Sequence, residues 1–170
     1  GLVGSEMCIR DRLGYDAAHW FNPITQNILG RQDYFLFEGF SDITVSADLQ
    51  WLRENFSNAR YILTERDLAS WERSITRHYF DHAGVTRLDQ LSSKGASRFS
   101  GRADAAEAAL YGGFNTWSNA HNAHDYTVDE VFSTAQDRLL KMNIVGGDSW
   151  EKICDFLGKA HPRVNFPHNP

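Results

Sequence analysis

From residue 13 onward the chain switches repeatedly between short β-prone runs, read as strands, and the 3.6-residue period of a helix. Residues 40–45 form a short run with β-branched side chains, which predicts a strand. Over residues 46–56, Leu49, Leu52 and Phe56 recur on one helical face. Asn58 and Ala59 break that pattern. Tyr61, Ile62, Leu63 and Thr64 follow as an apolar, β-prone run suited to a strand buried on both faces of a parallel sheet. Asp67 then stands where an N-cap belongs, ahead of Trp71, Ile75 and Tyr79 at helical spacing.

Residues 84–101 are rich in Ser and Gly and predict a loop or lid. Helices are predicted over 103–111 and 125–137, the second with Val128, Val131 and Phe132 on its apolar face. Residues 138–144 read as a further strand. A turn at Gly146, Gly147 and Asp148 leads into a helix over 149–157, striped by Trp150, Ile153, Cys154 and Leu157 and stopped by Gly158. The order β-α-β-α, helical insert, β-α predicts an α/β protein, a three-layer α/β/α sandwich around a parallel sheet. No repeat, low-complexity tract or Pro-rich linker divides residues 13–170, which read as one unit.

Residues 1–12, G-L-V-G-S-E-M-C-I-R-D-R, carry neither period. They resemble a translated sequencing-adapter read-through and are expected to be a non-native segment, ahead of a domain over 13–170 that is incomplete at its N-terminus. A remnant phosphate loop at Gly1, Gly4 and Ser5 is the competing reading. It lacks both the Lys of G-x-x-x-x-G-K-[ST] and the strand before it.

Composition narrows the class. With 42% hydrophobic residues, eleven Phe, five Trp and six Tyr in 170 residues, one sizeable core is expected and overall disorder is excluded. Seventeen Lys and Arg against twenty-two Asp and Glu give a net charge of −5 with no basic block, which argues against nucleic acid or an anionic membrane as partner. No apolar run approaches the roughly 18 residues of a membrane span. Two cysteines without metal-ligand or framework spacing point to a reducing, cytoplasmic setting.

Arg66 stands just past the carboxyl end of a predicted buried strand, where open α/β sheets bind ligands, and Ser74 lies eight residues on. A guanidinium fork plus a hydroxyl can hold a phosphate. The alternative is structural: Arg66 pairs with Asp67 or Glu72, and Ser74 is a surface residue. His121 and His124 share a helical face, with Asp125 the only obvious third ligand, which is a weak basis for a metal site. His78 and His82 face either an acceptor or solvent. Trp71 and Trp150 are read as core residues, with Trp71 also placed to flank a base.

Two segments carry a family resemblance. The run Y-I-L-T-E-R-D-L-A-S-W-E-R-S-I at 61–75 resembles the ILTvRDpesWyrS segment of the sulfotransferase-like family with a P-loop NTPase-type fold. The run from Arg138 through G-D-S-W-E-K-I-C-D-F-L-G to F-P-H-N is similar to that family's ending, and Phe40-Ser41-Asp42 is similar to its fsD segment. The resemblance spans about residues 13–170. It implies sulfuryl transfer from 3′-phosphoadenosine 5′-phosphosulfate (PAPS) to a hydroxyl or amine of a small-molecule or glycan acceptor, with no metal. It further implies that Arg66 and Ser74 bind the donor's 3′-phosphate. The proton-accepting base is implied to lie on the preceding strand, at Glu38 or, preferably, Asp42. The alternative for Asp42 is a helix-capping carboxylate. The family's first strand and its glycine-rich phosphosulfate loop have no counterpart here, so the chain is expected to be an inactive fragment with exposed strand edges that favour self-association. A noncatalytic nucleotide-binding or scaffold protein of the same fold, and a P-loop small-molecule kinase, are the alternative functions.

Overall fold

The computed structural model describes residues 9, 12–93 and 102–167. The architecture is α/β with parallel strands. The strands are β1 (Ala17–His19), β2 (Gly39–Ser41), β3 (Tyr61–Thr64) and β4 (Leu139–Met142). They form two parallel pairs rather than one continuous sheet, β1 with β2 and β3 with β4. In the first pair Ala17 faces Gly39 and His19 faces Ser41; in the second Tyr61 faces Leu139 and Thr64 faces Met142. The helices are α1 (Ile43–Ala47), α2 (Leu49–Asn55), α3 (Leu68–Ala83), α4 (Asp89–Ser93), α5 (Arg102–Tyr111), α6 (Trp117–Phe132) and α7 (Trp150–Leu157). None of the described helices is long and apolar enough to cross a membrane.

Local chemistry sets most boundaries. The Asp67 carboxylate accepts the Ser70 N–H at 2.9 Å and starts α3. Gly84 ends it in the left-handed region at φ 63°, where glycine carries no Cβ penalty. Thr116 caps α6 through the Asn119 N–H. That cap starts the helix at Trp117, earlier than the apolar pattern places it. The strand predicted over 40–45 stops at Ser41, because Asp42 turns the backbone and its carboxylate accepts the Ile43 N–H, opening α1. β1 has no β-branched residue and no strand signal of its own. The predicted loop over 84–101 holds α4 and two anchors, Val85 and Leu88, buried in the core. Residues 94–101 lie outside the described ones.

Among the described residues three apolar clusters fill the interior. Met142, Ile144, Trp150, Ile153, Cys154 and Phe166 join β4 to α7, together with Leu13 and with Ile9 from the segment whose pattern set it apart. Tyr79, Val85, Leu88, Trp117 and Ala120 hold α3 against α6. Leu49, Val128 and Phe132 pack with Tyr61 and Leu63 on one face of β3. The other face of β3 is not closed as the sequence predicts. Ile62 remains 38% exposed, while α7 covers the same side of the pair over β4, at Leu140 and Met142. Arg138 ties the start of this pair to the segment before it, donating to the Ala59 and Phe56 carbonyls at 3.0 and 2.5 Å.

Candidate functional site

Polar groups gather where β1 and β2 end. Parallel pairing sets His19 beside Ser41, and the His19 ring bridges two partners. Nδ1 lies 2.8 Å from Ser41 Oγ and Nε2 lies 3.2 Å from Asp42 Oδ2. The His19 and Asp42 side chains keep 15% and 18% exposure, so they are sheltered but reachable. The second Asp42 oxygen takes the Ile43 N–H at 2.5 Å. Asp42 therefore caps α1, and the same carboxylate also orients an imidazole.

The backbone around this pair is strained. Asp42 sits at φ 93° and ψ −178°, a region almost confined to glycine, and Trp20, the residue after His19, sits at φ 62°. Each such outlier costs about 1–3 kcal/mol and persists only where its surroundings hold it. Two residues past Trp20 a buried polar network begins. Asn22, 1% exposed, donates to Asp33 at 2.7 Å and accepts the Ile24 and Thr25 N–H groups, while Asp33 also takes the Gly30 N–H at 2.6 Å.

Asp42 also acts at longer range. Burial, reinforced by the neighbouring tyrosine and by the charges of Glu107 and Asp42, holds Tyr79 on α3 well above the ordinary tyrosine range. Burial, Glu107 and Asp42 raise Tyr111 on α5 in the same way. Both phenols therefore stay protonated, and Tyr79 donates to Glu107 at 3.0 Å.

Arg66 follows β3 and precedes α3, half-buried. Its Nε donates to Ser70 Oγ at 2.6 Å. Neither acid weighed as its structural partner takes that role. Asp67 is used as the α3 cap, and Glu72 accepts the Ser118 hydroxyl from α6. Glu65 faces Lys141 at 3.9 Å, and Lys141 in turn holds Asp129 at 2.7 Å, a hydrogen bond that raises the Lys141 ammonium. Among the described residues the Arg66 guanidinium has no carboxylate partner. Ser74 is exposed and lies on the same α3 face as Ser70, about 6 Å further along the axis. The structure joins Arg66 to Ser70 directly and leaves Ser74 beyond it. Glu38 lies at the opposite end of β2 from Asp42, accepting the Asp16 N–H at 3.1 Å.

His121 and His124 both approach Asp125, at 3.3 and 3.9 Å, and His121 packs edgewise on Trp71 at 4.6 Å. Burial holds His124 below the ordinary histidine value, with Asp125 opposing that shift. Among the described residues no three such side chains converge as metal ligands would. The Trp71 ring is engaged by His121 on the α3–α6 interface, and His78 is exposed beside Tyr79. Sequence reasoning missed His19, Ser41 and Ser70. No periodicity marks them, and only the β1–β2 register brings His19 to Ser41 and Asp42.

The family model described as a sulfotransferase domain matches the chain over residues 13–170, and the chain belongs to that family. No curated protein matches it.

Proposed function

We propose that this domain transfers a sulfuryl group from PAPS to a hydroxyl or amine of a small-molecule or glycan acceptor. The observation that carries this reading is the half-buried Arg66 guanidinium past the end of β3, with Ser70 on its Nε and no carboxylate partner among the described residues. A fork of donors left without an anion suits a phosphate. The donor's 3′-phosphate would lie on Arg66, with Ser70 and Ser74 offering hydroxyls along one face of α3. Asp42 and its surroundings would serve the acceptor's proton at the end of β2. The buried, unpaired Cys154 supports a reducing, cytoplasmic setting.

The chain holds no T-G-T-[ST]-S type segment to grip a 5′-phosphosulfate. We place that loop, with the strand that precedes it, ahead of residue 13 in the complete gene. As given, the chain should bind adenosine 3′,5′-bisphosphate poorly and associate through the unpaired edges of its strands. In the complete gene product, Arg66→Ala should weaken the bisphosphate about ten- to a hundredfold, the worth of a charge-assisted contact of roughly 1.5–3 kcal/mol. Arg66→Lys should recover part of that, and Ser74→Ala should cost less. A ligand lacking the 3′-phosphate is the control, read by calorimetry. Equal loss for both ligands would make Arg66 a structural residue and sink the assignment.

A further inference from the structure

We propose that His19 receives the acceptor's proton through the Ser41 hydroxyl, and that Asp42 is the positioning residue behind it. The inference rests on the sulfuryl-transfer reading and deepens it at the same site. Both Asp42 oxygens are already committed, one to the Ile43 N–H and one to His19 Nε2. A carboxylate, ordinarily near 4, also matches an alcohol's proton at neutral pH less well than an imidazole, ordinarily near 6.5.

The partners fix the working form of the ring. Nε2 faces an anionic oxygen and so carries the hydrogen; Nδ1 then offers its lone pair to Ser41, whose O–H donates to it at 2.8 Å. Ser41 Oγ is left with lone pairs for an incoming hydroxyl. In the transfer, the acceptor oxygen bonds to sulfur as the bond from sulfur to the donor's phosphate oxygen breaks, and that electron pair leaves with adenosine 3′,5′-bisphosphate. The acceptor's proton passes to Ser41 Oγ while the Ser41 proton passes to His19 Nδ1. The imidazolium so formed faces ionised Asp42, so charge balances.

Two backbone features agree with this aim. The strained residues Trp20 and Asp42 directly follow the strand ends that carry His19 and Ser41, and the Trp20 carbonyl is held by the Leu29 N–H at 2.9 Å. Strain kept at the two residues that point one ring is expected of a positioning device rather than of a cap alone. From other elements, Tyr79 on α3 and Tyr111 on α5 feel the Asp42 charge, and Glu107 on α5 faces the same two tyrosines.

The test is made in the complete gene product, with 4-nitrophenol as acceptor. Nitrogen-detected NMR of the histidines should show His19 protonated on Nε2, and Asp42→Ala should remove that preference. His19→Gln should lower kcat about 10²- to 10⁴-fold and remove the acid limb of its pH profile, with bisphosphate affinity unchanged. Asp42→Asn should lower kcat less and displace that limb, and Ser41→Ala should lower kcat with the limb retained. An Nδ1-protonated His19, or a His19→Gln variant within threefold of wild type while Asp42→Asn is inactive, would overturn the inference and leave sulfuryl transfer intact. Wild-type protein that neither binds the bisphosphate nor sulfates the probe would overturn the functional reading, and the inference with it.

Discussion

The two strand pairs are built on opposite principles. Around β3, β4 and α7 the described buried side chains are apolar, among them Met142, Ile144, Trp150, Ile153, Cys154 and Phe132, and the described non-glycine backbone there has no positive φ. Around β1 and β2 lie all four described buried polar residues, Asn22, Asp33, Thr44 and Asp48, and all three described non-glycine residues with positive φ, Trp20, Gln26 and Asp42. Apolar packing is non-directional and tolerates many arrangements, whereas buried hydrogen bonds fix one geometry at an energetic cost. The first half supplies stability. The second spends some of it to hold a histidine and a carboxylate in register.

The largest effect that follows is in the apolar half. Phe132, 1% exposed and packed on the Tyr61 ring at 4.8 Å, is the central contact between α6 and β3. Phe132→Ala should destabilise by about 3–5 kcal/mol, read as a fall in urea midpoint. Loss under 1 kcal/mol would mean that this half is not the stabilising one. In the polar half, Asn22→Ala strands the Asp33 carboxylate and two backbone donors, and should cost about 1–3 kcal/mol. An equal cost for the two variants would erase the contrast.

A smaller effect isolates strain. Asp42→Gly and Asp42→Ala both lose the cap and the His19 contact, but only glycine relaxes at φ 93°. The glycine variant should be more stable than the alanine one by about 1 kcal/mol, measured by thermal melting. Identical midpoints would show that the backbone there is not strained in solution.

The smallest effect is one of pH. Burial holds His124 below its ordinary value of about 6.5, so the folded state binds its proton less readily than the unfolded chain does. Stability should therefore be complete above that value and decline as the pH falls through it, and His124→Asn should flatten the decline. A melting temperature indifferent to pH between 7.5 and 5.5 would contradict this.

Legibility in the sequence follows the same division. The α7 stripe, the Asp67 cap, the Tyr61–Thr64 run and Gly158 are local signals, and the structure has each where the pattern puts it. The start of α6 was hidden because the Thr116 cap outweighs a weak apolar pattern. β1 was hidden because Ala17, Ala18 and His19 become a strand only by pairing with Gly39, Phe40 and Ser41. Arg66 was singled out because it follows a strongly apolar strand, but its choice of Ser70 over Asp67 and Glu72 depends on what those acids do elsewhere.

By itself, then, the sequence determined the α/β class, the Asp67 and Gly158 caps, the apolar stripe of α7 and the position of Arg66, since these rest on interactions between residues a few positions apart. Tertiary structure alone decided that His19 would lie between Ser41 and Asp42. That contact spans 22 and 23 residues of chain and depends on strand register and on a backbone conformation that no local propensity favours.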